Sequence, residues 1–111
     1  MSEKSIFSRI IDREIPSEIV FENELVIAFR DIAPQAPVHV LVVPKVQCRD
    51  LLEADSGTIM ALMEGCKEVA ALLGLVGDGF RLIINTGKGG GQTVFHLHAH
   101  LLGGAPLEWG V

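Results

Sequence analysis

The chain of 111 residues holds four histidines, and three of them alternate in His96-Leu97-His98-Ala99-His100-Leu101-Leu102. In an extended chain a period of two sends the three imidazoles to one face and Leu97, Ala99 and Leu101 to the other. A single histidine on a strand is ordinarily a packed or surface residue. Three in register crowd polar rings onto one face, which packing alone does not favour. Two chemistries suit such a row: metal ligation by neutral imidazoles, or nucleophile, acid and base work near neutral pH. The fourth, His39, also falls in a strand-like run, Val38-His39-Val40-Leu41-Val42-Val43.

The segment before the triad narrows the choice. Gly87-Lys88-Gly89-Gly90-Gly91-Gln92-Thr93 has four glycines in seven residues, a composition that lets backbone amides wrap an anion. Neither a carboxylate nor a cysteine adjoins the triad, so the usual mixed ligand set of a zinc site is missing beside it. A glycine loop running into a histidine strand suggests chemistry at phosphorus: amides and Thr93 hold phosphate oxygens while an imidazole attacks. With an unperturbed pKa of about 6.5 histidine is largely unprotonated at pH 7 and attacks without a dedicated base. Flanking rings can stabilise developing charge, and an imidazolium can hand a proton to a leaving amine or alkoxide. A zinc-dependent hydrolase using His96, His98 and His100 stays open as an alternative.

The elements that must position these residues are legible from periodicity. Ser5 to Ile11 has helical spacing and is broken by Ile15-Pro16-Ser17. Glu18 to Glu22 and Leu25 to Asp31 read as a hairpin about Asn23-Glu24, and Val38 to Val43 as a third strand after the proline-rich loop 32–37. From Ser56 to Leu73 the apolar residues fall at three- and four-residue steps, one long amphipathic helix capped by Asp55 or Ser56 and stopped near Gly74. Phe80 to Asn85 and Thr93 to Leu102 complete the set. The expectation is one α+β domain over residues 1–111, a five-stranded antiparallel sheet with one long and one short helix.

Composition sets outer bounds. At 49% hydrophobic and 21% charged residues the chain is a globule rather than a disordered segment. A net charge of -5 argues against nucleic acid or an anionic membrane as partner. Cys48 and Cys66 suggest no disulfide framework, and the absence of an apolar run of about 20 residues leaves no membrane span, so a cytoplasmic location is expected.

With these residues in view, the chain resembles the histidine triad (HIT) family, in its nucleotide-binding, phosphoramidase-like branch. The resemblance covers nearly the whole chain and rests on Ser5-Ile6-Phe7, Glu14-Ile15-Pro16, Asp31-Ile32, Pro34-Gln35-Ala36-Pro37, His39, Val43-Pro44-Lys45 and, most specifically, Gly91 to Gly104. It implies a HIT-like fold dimerising into a ten-stranded sheet through the long helix and its neighbouring strand, a purine nucleotide substrate and no required cofactor or metal. It also implies that His98 is the nucleophile, forming a transient nucleotidyl adduct whose hydrolysis frees AMP or GMP from phosphoramidate or acyl-adenylate substrates. By motif position His100 contacts the phosphate and leaving group, and His96 and His39 orient the nucleophile by hydrogen bonding. Asp31 is implied as ribose ligand, Ile32 packs near the sugar or base, and Asn85, Gly91, Gln92 and Thr93 surround the phosphate. Trp109 is expected either to pack locally or to approach the partner's site. Ser8 and Val46-Gln47 depart from branches that bind structural zinc, which argues against such a site here. A nucleotide-responsive interaction protein with incidental catalysis is the alternative reading.

Overall fold

The computed structural model describes residues 3–108; Trp109 lies outside them. A short helix α1 (Ile6–Ile11) precedes strands β1 (Ile19–Glu22), β2 (Val26–Arg30) and β3 (Val38–Pro44). The long helix α2 (Ser56–Leu72), β4 (Arg81–Ile83) and β5 (Ala99–Gly103) follow, with one 3-10 turn at Lys88–Gly90 in the glycine-rich segment. All pairings are antiparallel, in the order β1-β2-β3-β5-β4. Helix α2 therefore carries the chain from the middle of the sheet to its far edge, and the glycine loop brings it back so that β5 inserts between β3 and β4.

Strand alternation divides the core in two. Ala28, Val40, Val42, Leu97, Ala99 and Leu101 turn to one face and meet Leu62, Cys66, Val69 and Ala70 of α2. Each fully buried aliphatic side chain there contributes roughly 1.5–3 kcal/mol. Gly65 lets the helix settle on the sheet, because a Cβ at that position would come within 2.8 Å of Val26 Cγ2. Asp55 caps α2 by accepting the Thr58 amide at 2.8 Å, and Gly74 follows its end at φ +73°. The opposite face carries Ile27, Phe29, Leu41 and Val43 beneath Phe7 and Ile10 of α1. Asp31, His39 and His100 share the parity of this second face.

One expected element is shorter than its pattern. The alternation from Thr93 to Leu102 predicts a strand throughout, but the ladder starts at Ala99, and residues 94–96 form a bend. The reason lies in the partners: the Leu97 amide donates to the Cys48 carbonyl at 2.8 Å, and Gln92 Nε2 to the Arg49 carbonyl at 2.8 Å. The loop after β3 thus replaces a neighbouring strand. The chain keeps its alternation, and Leu97 still reaches the α2 core.

Candidate active site

Sheet register explains which histidines meet. His39 on β3 faces Leu102 on β5, so His100 is its diagonal neighbour on the same face, within reach of an aromatic ring. The two rings bond through His39 Nε2 and His100 Nδ1 at 2.9 Å. Asp31 sits across from His39, with its amide donating to the His39 carbonyl at 3.0 Å and its Oδ2 3.5 Å from His39 Nε2. His98 and His100 pack with centroids 5.1 Å apart, and Phe7 of α1 meets the His98 ring edge-on at 4.9 Å.

The bonding partners assign a proton to each ring. The Gln35 amide donates to His39 Nδ1 at 3.0 Å, so the His39 proton is on Nε2 and goes to His100 Nδ1. His100 then carries its own proton on Nε2. His98 donates from Nδ1 to the His96 carbonyl at 2.7 Å, which leaves its Nε2 with a lone pair. His96 donates from Nε2 to the Pro44 carbonyl at 2.8 Å and accepts the Ser5 hydroxyl proton at Nδ1 at 2.6 Å. The row consists of one ring with an uncommitted lone pair, His98, beside one with an uncommitted N–H, His100.

Electrostatics keep these rings neutral. Burial lowers the pKa of His96 and outweighs the Pro44 bond. Burial also lowers that of His98, against its bond to the His96 carbonyl and the Asp31 charge. His100 is pushed down to about 4, first by burial and then by the facing His98 and His39, against the pull of Asp31. A protonated flanking ring poised to acidify a leaving group is therefore not what the free protein presents at His100; it presents a neutral hydrogen-bond donor.

Two expected placements change. His39 touches His100 rather than the His98 ring; His96 does hold His98 by a hydrogen bond, made by its backbone carbonyl. Gln92, expected around the phosphate, is buried with its side chain turned into the loop: Nε2 donates to the Arg49 and Val94 carbonyls and Oε1 accepts the Gly87 amide. It shapes the loop from within. Asn85 bonds the Gly90 carbonyl at 2.8 Å and supports Gly91, whose φ of +85° is left-handed and suits glycine. Asp31 spends Oδ1 on the Ala33 amide in a tight turn that projects Ile32, 99% exposed, beside the site. Thr93 is exposed at the end of the loop.

The contributions that the sequence reading missed are Phe7, the Ser5 hydroxyl, the Gln35 amide and the Pro44 carbonyl. Only Ser5 carries a local signal, a serine three residues before Ser8 at a helix start, where its oxygen accepts the Ser8 amide. A cleft of ≈ 710 Å³ between Lys4, Gln47, Arg49, Glu53 and Phe95 includes none of the histidines. A smaller one of ≈ 300 Å³ is bounded by Gln35, His39, Ile83, Asn85, His100 and Leu102 and adjoins the chemistry.

Among the described residues, Asp31, His39 and His100 are the group of potential metal ligands whose donor atoms come within 4.8 Å of one another. His39 fits a metal poorly, because ligation through Nε2 would displace its proton to Nδ1, against the Gln35 amide.

Comparison with known proteins identifies the family. Residues 12–107 match the HIT domain family. The purine nucleoside phosphoramidase of Escherichia coli K12 is 46% identical over 110 residues, covering 96% of this chain and 92% of that protein. Adenylylsulfatase HINT1 of Arabidopsis thaliana is also 46% identical, over 112 residues, covering 95% of this chain and 74% of that protein. A HIT family hydrolase from Clostridium thermocellum superposes with a TM-score of 0.91 at 43% identity, covering 100% of this chain and 99% of that one. The chain belongs to the HIT domain family.

Proposed function

We propose that this protein is a nucleotide hydrolase that releases AMP or GMP from purine nucleoside phosphoramidates or acyl-adenylates through a nucleotidyl adduct on His98. The observation that carries the reading is the tautomer of His98: its Nδ1 proton is held by the His96 carbonyl, so the nitrogen lone pair is on Nε2. That lone pair forms the bond to the α-phosphorus as the bond to the leaving amine or acyl oxygen breaks. Water then attacks the same phosphorus, and the histidine–phosphorus bond returns its electrons to Nε2. The names of the E. coli and Arabidopsis relatives support a nucleotide substrate with a hydrolysable bond at phosphorus.

The surrounding residues take roles that suit their chemistry. His100 donates its Nε2–H to a phosphoryl oxygen or the leaving atom; its chain of bonds ends at a backbone amide, which has no proton to pass on, so the departing amine takes its proton from water. Gly91 and Thr93 lie around the phosphate, with Asn85 bracing the loop. Asp31 accepts from the ribose hydroxyls through Oδ2, the oxygen that the Ala33 amide does not use, and exposed Ile32 covers the sugar or base. No metal or other cofactor is invoked: His98 attacks through its own Nε2 lone pair, and His96 has one nitrogen on the Pro44 carbonyl and the other on the Ser5 hydroxyl.

The working unit is a homodimer joined along β4 and α2. Support comes from an edge strand with an open ladder and from exposed Met60, Leu72, Val76 and Leu82 around it. Neither nucleic acid nor membrane is a partner, and among the described residues no helix is long and apolar enough to cross a membrane. Cys48 and Cys66 are unpaired, as suits the cytoplasm.

The test is turnover of adenosine 5′-phosphoramidate to AMP and ammonia, before and after exhaustive chelation, with His98→Asn alongside. Wild-type turnover that survives chelation and is lost in His98→Asn is expected. Undiminished turnover in that variant overturns the mechanism, and loss on chelation overturns the metal-free reading.

A further inference from the structure

His96 is fully buried, so its position depends on partners for both ring nitrogens. One is the Pro44 carbonyl. The other is Ser5 Oγ at 2.6 Å, which also accepts the Ser8 amide and so caps α1; the Ser8 hydroxyl lies farther from the same nitrogen, at 3.5 Å, and gives its proton to Gln47 Oε1. Ser5 is itself held in place: its amide donates to Gln47 Oε1 at 2.9 Å, as the Ser8 hydroxyl does at 2.7 Å, and Gln47 Nε2 donates to the Glu3 carbonyl. Residues 94–98 lie outside the ladder, so the His96 carbonyl that holds the His98 proton is not fixed by a neighbouring strand. It is fixed by the His96 ring on one side and by the Leu97 amide bond to Cys48 on the other.

We infer that Ser5 is a positioning residue for the reaction at His98: its hydroxyl proton, delivered to His96 Nδ1, fixes the His96 ring and hence the carbonyl that keeps His98 in its Nε2-nucleophilic tautomer. This inference rests on the proposed hydrolysis only for its kinetic consequence; the tautomer itself is a property of the free protein. Helix α1 thereby acts on the site twice, through its cap at His96 and through Phe7 at His98.

Capping and proton donation are separable by substitution. Aspartate is a good N-cap and can still accept the Ser8 amide, but as a carboxylate it has no proton for His96. Threonine keeps both functions. Nitrogen-15 NMR of histidine-labelled protein reads each ring's tautomer without substrate. The wild type and Ser5→Thr should show His96 protonated at Nε2 and His98 at Nδ1. Ser5→Asp, with its fold verified by circular dichroism, should populate the other His98 tautomer. Loss of one such bond corresponds to roughly a fivefold fall in kcat, with KM within about twofold.

Wild-type tautomers in Ser5→Asp overturn the inference, as does wild-type kcat in that variant, or a folded Ser5→Thr as impaired as Ser5→Asp. A wild type that shows the expected tautomers but does not turn over phosphoramidate refutes the proposed hydrolysis and leaves the tautomer control standing.

Discussion

Replacing His39 tests whether His100 works as an oriented donor. The His39 ring is buried, gives its one proton to His100 Nδ1 at 2.9 Å and receives the Gln35 amide at 3.0 Å. His39→Leu removes both bonds. Gln35 is exposed and its amide can turn to water, so the stability cost is about one net hydrogen bond, 0.5–1.5 kcal/mol. The catalytic cost follows from the tautomer. Without a proton presented at Nδ1, His100 can place its own proton there, and the population with an Nε2–H facing the substrate falls. A preference of about 1 kcal/mol is a factor of roughly five, so across about 0.5–1.5 kcal/mol kcat should fall by about 2- to 13-fold, with KM little changed. His39→Gln can both donate and accept and should recover most of the loss. The assay is steady-state release of AMP from adenosine 5′-phosphoramidate, with unfolding by urea as the stability control. A loss as deep as that of His98→Asn would mean that His39 touches the reacting atoms. A Gln variant no better than Leu would refute the tautomer argument.

Four further outcomes are expected. Because burial lowers the pKa of His98 and brings His100 to about 4, turnover corrected for spontaneous hydrolysis should hold as pH falls through 6.5 and decline only at lower pH; a decline centred at or above 6.5 would contradict this. The same shifts make the unfolded chain bind protons that the folded chain refuses, so stability in denaturant titrations should fall as pH drops from 6.5 towards 4, the reverse trend being excluded. Gly65→Ala gains about 1 kcal/mol of helix propensity but drives a methyl to 2.8 Å from Val26 Cγ2, and overpacking of about 1–3 kcal/mol wins; the melting temperature should drop by several degrees with kcat unchanged. The Cys66 thiol, pushed up to about 12 by burial, should resist aromatic disulfide reagents in the native protein and react on unfolding, whereas prompt native labelling would show the α2 core to be open.

What could be read from sequence divides along a physical line. Side-chain periodicity reports which face a residue takes: Leu97, Ala99 and Leu101 lie in the α2 core as their alternation requires, and Asp55 caps the helix that its position announces. Periodicity does not report what the backbone bonds to. The extended run from Thr93 becomes a strand only at Ala99 because its earlier amide and side-chain donors meet carbonyls at the end of β3 and in the loop after it, some 50 residues away in sequence, and a carbonyl has no residue type to betray it. Gln92 illustrates the same gap. Its amide suits a phosphate, yet closing the glycine loop left three backbone groups needing partners, and it serves those instead.

The histidines illustrate this division most sharply. His39, His96, His98 and His100 are chemically identical, and nothing in their alternation distinguishes a nucleophile from a donor. The distinction arises from one backbone group each. A carbonyl at Nδ1 of His98 forces the lone pair to Nε2; an amide at Nδ1 of His39 forces the proton to Nε2 and, one bond further, to Nε2 of His100. Exchanging those two backbone groups would exchange the roles without changing a side chain. The reactivity of the triad is therefore a property of the loop before β3 and of the segment that leads into β5 as much as of the three rings. It also follows that substitutions in the flanking loops, at Gln35 or around Pro44, can alter catalysis while every imidazole stays in place.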